Sequence, residues 1–232
     1  MKVTNVAIDG PAGAGKSTIA KAVSKKLGYI YIDTGALYRT VGLNALRLGV
    51  DIQNDEEVAS TLTDELSVEL KFVDGEQRMF LNGEDVSLAI RSPEASMAAS
   101  RVSAVPAVRK YLFDLQKNLA KSNNCIMDGR DIGTVILPDA QLKVFLTATA
   151  EERAMRRTNE LIEKGQNADY EQVLADIKER DDRDSNRAIA PLKPADDAIM
   201  FNNTGFTPEQ SLAKLLEIVK DKLGISEVQY EK

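Results

Sequence analysis

Eight residues near the start of the chain have the spacing of a loop that binds phosphate groups. Residues 10–17 fit the pattern G-x-x-x-x-G-K-[ST]. Glycines allow the backbone N–H groups to turn toward phosphate oxygens, and a helix that begins near Lys16 adds its positive end. Lys16 would neutralise the β- and γ-phosphates, and the Ser17 hydroxyl is a candidate Mg²⁺ ligand. The loop residues predicted to bind the polyphosphate are Gly10, Pro11, Ala12, Gly13, Ala14, Gly15, Lys16, Ser17 and Thr18.

The residues around this loop alternate between strand and helix patterns. Residues 3–8 predict a buried strand, 16–27 carry an apolar helical stripe, and 29–32 predict a second strand. Such a βαβ unit pairs its strands in parallel. The sequence therefore predicts an α/β fold with a parallel central sheet of about five strands flanked by helices. Further strands are predicted at 125–128, 142–146 and 198–201, and further helices at about 36–48, 151–164, 169–187 and 207–223.

Residues of about 66–86 have a different pattern. The alternating segment 66–73 is followed by a predicted turn at Asp74-Gly75, a returning strand at 78–81 and a second turn at Asn82-Gly83. Two turns so close together predict a small antiparallel insert. Pro106 then opens a further predicted helix.

Composition excludes several kinds of catalysis. The 232 residues include no His and one Cys, and the net charge is −6. Without His there is no Ser-His-Asp triad and no His general base, and one Cys permits neither an intrachain disulfide nor a Cys-rich metal site. A pI near 5.0 argues against nucleic-acid binding, and no apolar run is long enough for a membrane span. We expect a cytoplasmic protein in which Cys125 is a buried strand residue.

The arginines are unevenly distributed, because all 13 lie between Arg39 and Arg187. Arg180, Arg183 and Arg187 have a spacing that predicts one helix face, and Arg153 with its neighbours clusters on the preceding helix. Two interpretations are open. One is a mobile arginine lid over a polyphosphate, and the other is a solvated pair of helices with surface ion pairs.

Five segments in order resemble the cytidylate kinase (CMP kinase) family of P-loop nucleoside monophosphate kinases, over nearly the whole chain. They are 10–18, 33–39, 100–109, 128–135 and 178–187. The resemblance implies a P-loop nucleoside-kinase fold within a single domain over 1–232. It also implies a monophosphate-binding region at 34–103 that includes the insert, and a helical lid at 151–166. The implied reaction uses ATP as donor, Mg²⁺ as cofactor, and CMP and dCMP as acceptors, in a monomer.

The same resemblance implies roles for individual residues. Catalysis falls to Lys16, Arg130, Arg180 and Arg187. The acceptor phosphate and ribose are held by Thr34, Arg39, Arg130, Arg180, Asp184 and Arg187, cytosine is read by Ser100, Arg109 and Asp131, and ATP is contacted by Arg153 and Arg157. A carboxylate accepts a hydrogen bond from the cytosine amino group, whereas uracil presents an acceptor there. Asp131 is therefore expected to favour CMP over UMP.

Other functions are open at this point. A UMP or AMP kinase would use the same loop, and a kinase of a small hydroxyl substrate needs a carboxylate base, for which Asp33 is placed at a strand end. A non-catalytic nucleotide sensor would bind ATP without transfer. The guanine motif Asn-Lys-x-Asp of regulatory GTPases is absent. Asp128 is a candidate for holding Mg²⁺ through water or for contacting the helix after the loop, and Asp9 for orienting the loop.

Overall fold

In the computed structural model, residues 3–73 and 76–225 are described. The turn predicted at Asp74-Gly75 lies outside these residues. The chain forms two compact units. We call residues 1–31 with 122–232 the discontinuous unit, and residues 32–121 the contiguous unit.

Strands and helices alternate along the described chain, which confirms the α/β class. The strands are β1 (Asn5–Asp9), β2 (Ile30–Asp33), β3 (Val68–Val73), β4 (Glu76–Leu81), β5 (Glu84–Asp85), β6 (Cys125–Gly129), β7 (Leu142–Thr147) and β8 (Ile199–Asn202). The helices are α1 (Lys16–Leu27), α2 (Thr34–Leu48), α3 (Asp55–Ser60), α4 (Pro93–Val102), α5 (Pro106–Lys121), α6 (Ala150–Glu163), α7 (Tyr170–Asn186) and α8 (Pro208–Leu223). Short helical turns lie at Ala89–Arg91 and Ile132–Ile136.

The five-stranded sheet has the order β2-β6-β1-β7-β8, as predicted for a parallel central sheet. Strand β1 is in the middle, with Ile8 opposite Asp128 on one side and Val144 on the other. Because neighbouring strands run in parallel, the segments that follow β1, β6 and β7 leave the sheet at the same edge. That edge receives the phosphate loop from β1 and the segment with Arg130 from β6.

The core of the discontinuous unit forms where two helices cover the sheet. Ile19 and Val23 of α1, with Leu215 of α8, pack against strand residues such as Val6 and Val144. All of these side chains are almost completely buried. Strands of a parallel sheet that is covered by helices are expected to be apolar along their whole length. This burial explains why the predicted strand segments are short runs rich in β-branched residues. Cys125 is buried on β6 as predicted, and burial raises the pKa of its thiol to about 12.

The contiguous unit combines helices with the predicted antiparallel insert. Strands β3, β4 and β5 form a three-stranded sheet in which Val68 lies opposite Leu81. The predicted turn between β4 and β5 is present, with positive φ at both Asn82 and Gly83. Helices α2 and α4 approach closely at Gly42, where a side chain would lie 3.0 Å from the Cβ of Ala98.

Two helices of this unit were not predicted from the sequence. Helix α3 is a single short segment capped by the Asn54 side chain, and α4 begins with a Ser92 cap followed by Pro93. Among residues 3–73 and 76–225, no helix has the length and apolar character needed to cross a membrane.

Candidate active site

Glycines give the phosphate loop its shape. The backbone of Gly10 has φ +149°, and a Cβ there would lie only 1.9 Å from the carbonyl oxygen of Leu146. Gly13 and Gly15 also have positive φ, and Gly15 is the residue that precedes α1. Side chains at these positions would be strained or would collide with the backbone of β7. The loop geometry is therefore fixed by the backbone before any ligand binds.

Lys16 is buried at the first position of α1. Its ammonium group donates to the carbonyl oxygens of Gly10 (2.7 Å) and Pro11 (2.8 Å). Burial holds the pKa of Lys16 well below its usual range, the nearby Arg130 lowers it further, and Asp128 opposes the shift. An anionic phosphate oxygen would offset this cost of burying a cation.

Ser17 and Asp128 bring oxygen atoms together beside the loop. The Ser17 hydroxyl donates to Oδ2 of Asp128 at 2.8 Å, and the Tyr31 hydroxyl donates to Oδ1 at 3.0 Å. The contact predicted between Asp128 and the helix is thus present. Hydroxyl and carboxylate oxygens are suitable Mg²⁺ ligands. Among the described residues no three His, Cys, Asp or Glu side chains cluster for a metal ion, so phosphate and water oxygens would complete such a site.

Two side chains hold the loop from outside. Nδ2 of Asn203, which follows β8, donates to the carbonyl oxygen of Ala14 at 3.1 Å. Nη1 of Arg153 on α6 donates to the carbonyl oxygen of Ala12 at 2.9 Å. Both residues are buried. The loop is therefore tied to the end of β8 and to α6 as well as to β1.

Asp184 on α7 is the centre of a cluster of charged side chains. Its Oδ2 accepts from Nε of Arg130 at 2.9 Å and lies 4.0 Å from Nε of Arg180. Burial raises the pKa of Asp184, but Arg130, Arg180 and Arg187 outweigh that effect, so the pKa lies below its usual value. The carboxylate is therefore ionised at neutral pH and holds these guanidinium groups in place.

Arg187 forms a second ion pair in the same unit. Its Nη2 lies 3.3 Å from Oδ1 of Asp131, and both side chains are only 7% exposed. The sequence predicted one helix face for Arg180, Arg183 and Arg187, but α7 ends at Asn186 and Arg187 has extended backbone angles. That prediction was wrong for Arg187. The chain turns there, so that Nε also donates to the carbonyl oxygen of Ala190.

The two predicted lid arginines on α6 have different surroundings. Besides its bond to the loop, Arg153 forms a bidentate pair with Asp181 of α7. Arg157 is exposed and pairs with Glu160 one turn along its own helix at 2.9 Å. The Arg157–Glu160 pair is a surface ion pair of the kind that the second interpretation expects, whereas the Arg153–Asp181 pair is largely buried and joins α6 to α7. Contact of either arginine with ATP stays a prediction.

Asp33 organises the start of α2 in the contiguous unit. Its Oδ1 accepts from the backbone N–H of Ala36 at 3.0 Å and caps the helix, and its Oδ2 accepts from Nη2 of Arg39 at 2.6 Å. Thr34, the first residue of α2, is buried. Both oxygens of Asp33 thus hold the start of α2, one through the helix backbone and the other through Arg39.

Ser100 and Arg109 lie on consecutive helices of the same unit. The Oγ of Ser100 on α4 is buried and has no hydrogen-bond partner within the described residues. Arg109 on α5 donates from Nη1 to the carbonyl oxygen of Ser103 at 3.1 Å, and its guanidinium lies 5.8 Å from the ring centre of Tyr38. A buried hydroxyl without a partner and a guanidinium held by a backbone carbonyl are each suited to recognition of a polar base, and that role remains a prediction.

Two residues that the sequence did not assign, Asn203 and Asp181, help to build the site, and a third, Asp9, has contacts other than those expected. Asn203 and Asp181 hold the loop and Arg153, as described above. Asp9 was a candidate for orienting the loop, but its carboxylate accepts from the backbone N–H groups of Ile132 (2.7 Å) and Gly133 (2.8 Å). The sequence signal for Asp9 was its position as an acidic residue at the end of a buried strand. Asn203 and Asp181 lie in ordinary polar segments, so no sequence signal distinguished them.

A strand that runs into a glycine-rich loop and a helix with Lys16 and Ser17 defines a P-loop protein. The solved structure of an uncharacterized protein from Eubacterium ventriosum has a similar fold, with a TM-score of 0.54 at 13% identity over 95% of this chain and 99% of that chain.

The cytidylate kinase family model matches residues 6–221, and the chain belongs to this family. A cytidylate kinase of Caldicellulosiruptor saccharolyticus is 53% identical over 224 residues, which cover 97% of this chain and 99% of the relative. The cytidylate kinase of Pasteurella multocida is 46% identical over 220 residues, which cover 95% and 96%. The resemblance predicted from five short segments is thus confirmed.

Proposed function

We propose that this chain transfers the γ-phosphoryl group of ATP to CMP and dCMP, giving ADP and the diphosphates. Membership of the cytidylate kinase family supports this activity over a UMP or AMP kinase. The same membership supports it over a kinase of a small hydroxyl substrate.

The observation that carries the reaction chemistry is the concentration of positive charge around Lys16. Arg130 and Arg180 both lie near enough to lower the pKa of its ammonium group. Arg130 and Arg180 in turn are held by Asp184. Held cations stabilise the charge that is shared between donor and acceptor oxygens during phosphoryl transfer. We assign Lys16, Arg130, Arg180 and Arg187 to this role.

No general base is required, because an oxygen of the acceptor phosphate is already anionic at neutral pH. The absence of His therefore removes nothing that the reaction needs. Catalysis then depends on positioning and on charge neutralisation. In this proposal Thr34, Arg39, Arg130, Asp184 and Arg187 hold the acceptor phosphate and ribose.

Ser17 would hold Mg²⁺ with its hydroxyl, and Asp128 is the carboxylate nearest to it. When bound, Mg²⁺ neutralises charge on the phosphate oxygens. Tyr31 fixes the other oxygen of Asp128, so the carboxylate keeps one orientation.

Selection of the base is assigned to Ser100, Arg109 and Asp131. A carboxylate accepts from the cytosine amino group, and a guanidinium donates to the acceptor atoms beside it. A uracil carbonyl would face Asp131 acceptor to acceptor, which disfavours UMP.

A panel of acceptors tests the function. The purified protein is incubated with Mg-ATP and each of CMP, dCMP, UMP, AMP, GMP and a set of small alcohols, and ADP and the phosphorylated product are quantified. We expect CMP and dCMP to have the highest kcat/KM. Faster transfer to AMP or to an alcohol, or ATP binding without any transfer, would contradict the proposal. Asp131→Asn should reduce the preference for CMP over UMP by about tenfold, whereas the surface control Lys214→Ala should leave it unchanged.

We further propose that the protein acts as a monomer in the cytoplasm on free nucleotides. The acidic pI near 5.0 suits a protein that does not bind nucleic acid nonspecifically. Sedimentation with and without nucleotides measures the oligomeric state directly.

A further inference from the structure

Asp9 lies between the phosphate loop and the segment with Arg130 and Asp131, both in the discontinuous unit. It is the last residue of β1, directly before the phosphate loop, and it is only 4% exposed. One carboxylate oxygen accepts from the N–H of Ile132 and the other from the N–H of Gly133. Both oxygens of a buried carboxylate are thus used to hold two consecutive backbone groups of another loop.

The backbone that Asp9 holds follows directly on two of the proposed substrate residues. Arg130 and Asp131 immediately precede Ile132, and their side chains pair with Asp184 and Arg187 respectively. A shift of the backbone at Ile132 would therefore move both side chains together.

The backbone at Gly133 is closely packed. A Cβ at Gly133 would lie 3.3 Å from Oδ2 of Asp9 and 3.1 Å from Cδ of Lys143. The absence of a side chain at Gly133 is what allows the carboxylate to approach. Nζ of Lys143 pairs with Asp197 at 2.9 Å, which leaves the backbone N–H groups as the partners of the Asp9 carboxylate.

We propose that Asp9 is a positioning residue, which fixes Arg130 and Asp131 relative to the phosphate loop and so aligns the acceptor nucleotide with the donor. The proposal rests on the function proposed above. Asp9 itself contacts neither nucleotide; it acts through the backbone of Ile132 and Gly133.

The charge of Asp9 is set by its surroundings. Burial raises the pKa of its carboxyl to about 6, while the hydrogen bonds from Gly133 and Ile132 oppose the shift. Asp131 raises the pKa further and Lys16 on α1 lowers it. Below this pKa one oxygen carries a proton and becomes a donor, so one of the two N–H groups loses its acceptor. Alignment of the acceptor should therefore weaken on acidification.

Asp9→Asn tests the proposal, because its amide keeps the shape but offers one acceptor instead of two. We expect kcat/KM for CMP to fall at least about tenfold at pH 7.5, because a small displacement of a binding group can cost a large factor in rate. The KM for ATP should change less than about threefold. Leu215→Ala is the control, because Leu215 is buried in the same unit but on α8. Assays are run well below the Tm of each variant.

The pH profile separates positioning from simple stabilisation. Between about pH 5.5 and 7.5 the phosphate of CMP also titrates. The ratio of kcat/KM between wild type and Asp9→Asn cancels that contribution, and we expect this ratio to fall as the pH falls. A flat ratio, or an Asp9→Asn variant that loses Tm like the control yet keeps kcat/KM for CMP within about twofold, would overturn the proposal.

The amide signals of Ile132 and Gly133 give a readout without catalysis. In ¹H–¹⁵N spectra of the wild type, the chemical shifts of both amides should change together with pH, with a midpoint near the pKa of Asp9. This measurement does not require the Asp9→Asn variant to fold. Amides that ignore this titration would sink the positioning role. A wild type that shows the titration but phosphorylates no CMP would instead contradict the proposed function.

Discussion

The phosphate loop and the arginine cluster around Asp184 hold their positive charges in different ways. In the loop, the ammonium of Lys16 is bonded to carbonyl oxygens of Gly10 and Pro11, which carry no net charge. In the cluster, Arg130 and Arg187 are held by the carboxylates of Asp184 and Asp131. The loop is thus shaped by glycine geometry, and the cluster by ion pairs between side chains.

This difference bears on how each region meets a phosphate. Neutral carbonyl oxygens compete weakly with an anionic oxygen, so Lys16 is ready to exchange its partners for a ligand. Each carboxylate in the cluster already compensates a guanidinium, so an incoming phosphate must share the arginine. In return the guanidinium groups are oriented before binding, which reduces the entropy lost on association.

The largest effect is expected in the loop. Lys16→Met should lower kcat by about a thousandfold or more, because the charge on the transferred group loses its nearest cation. The Tm should not fall, since the variant removes a buried ammonium whose pKa is already lowered by burial. Steady-state kinetics and thermal unfolding measure both quantities. The exposed Lys25→Met on the same helix is the control, and comparable activity of the two variants would refute the role of Lys16.

In the cluster, Arg130→Lys keeps the charge but loses the planar fork that pairs with Asp184. We expect kcat/KM for CMP to fall about a hundredfold, with a smaller change in KM for ATP. Equal losses for both substrates would show that the cluster serves the loop rather than the acceptor.

Removing the carboxylate from the cluster should have a smaller effect on rate and a distinct effect on stability. Asp184→Asn should lower Tm by several degrees at pH 7, because three arginines lose a common anion. The native pKa of Asp184 is lowered from 3.8, so its stabilisation is present above that value and is lost as the pH falls through the native pKa. Thermal unfolding from neutral to acid pH should therefore show the two proteins converging only below about pH 3.8. Convergence near pH 6 would mean that another group is responsible.

The smallest effect is expected for the exposed Arg157. Arg157→Ala should leave Tm within about one degree, because a surface pair with Glu160 contributes little. KM for ATP should rise about threefold to tenfold if Arg157 contacts the donor, as the family resemblance implies. An unchanged KM would contradict a contact between Arg157 and ATP.

The loop could be predicted from the sequence because its chemistry depends on residues that are close together in the chain. Gly10 to Ser17 specify backbone geometry and charge locally, and the flanking strand and helix have clear periodicity. The turn at Asn82-Gly83 was predictable for the same reason. Thr207 and Gln210, three residues apart, likewise form a capping box at the start of α8, which was predicted as a helix over 207–223.

The cluster could not be predicted in this way, because its contacts join distant segments. Arg130 and Asp184 are 54 residues apart, and nothing in the helical spacing of α7 indicates that Arg187 leaves the helix. For Arg153 the sequence left open a mobile lid and a solvated pair of helices, and neither interpretation indicates that it is buried with contacts to the loop and Asp181. Ser100 and Arg109 were found only through the resemblance to a family.

The order of the central sheet also determines when the phosphate loop can form during synthesis. Strand β1 is made before both of its neighbours in the sheet, because β6 and β7 follow it by more than a hundred residues in the chain. The contiguous unit, residues 32–121, precedes both of these strands in the chain. Its partners are nearer in the chain, so it is able to fold earlier than the sheet. The phosphate loop, which is the segment easiest to recognise in the sequence, therefore belongs to a sheet that is completed late. Until then, the apolar β1 has no native partner and is open to pairing with another strand.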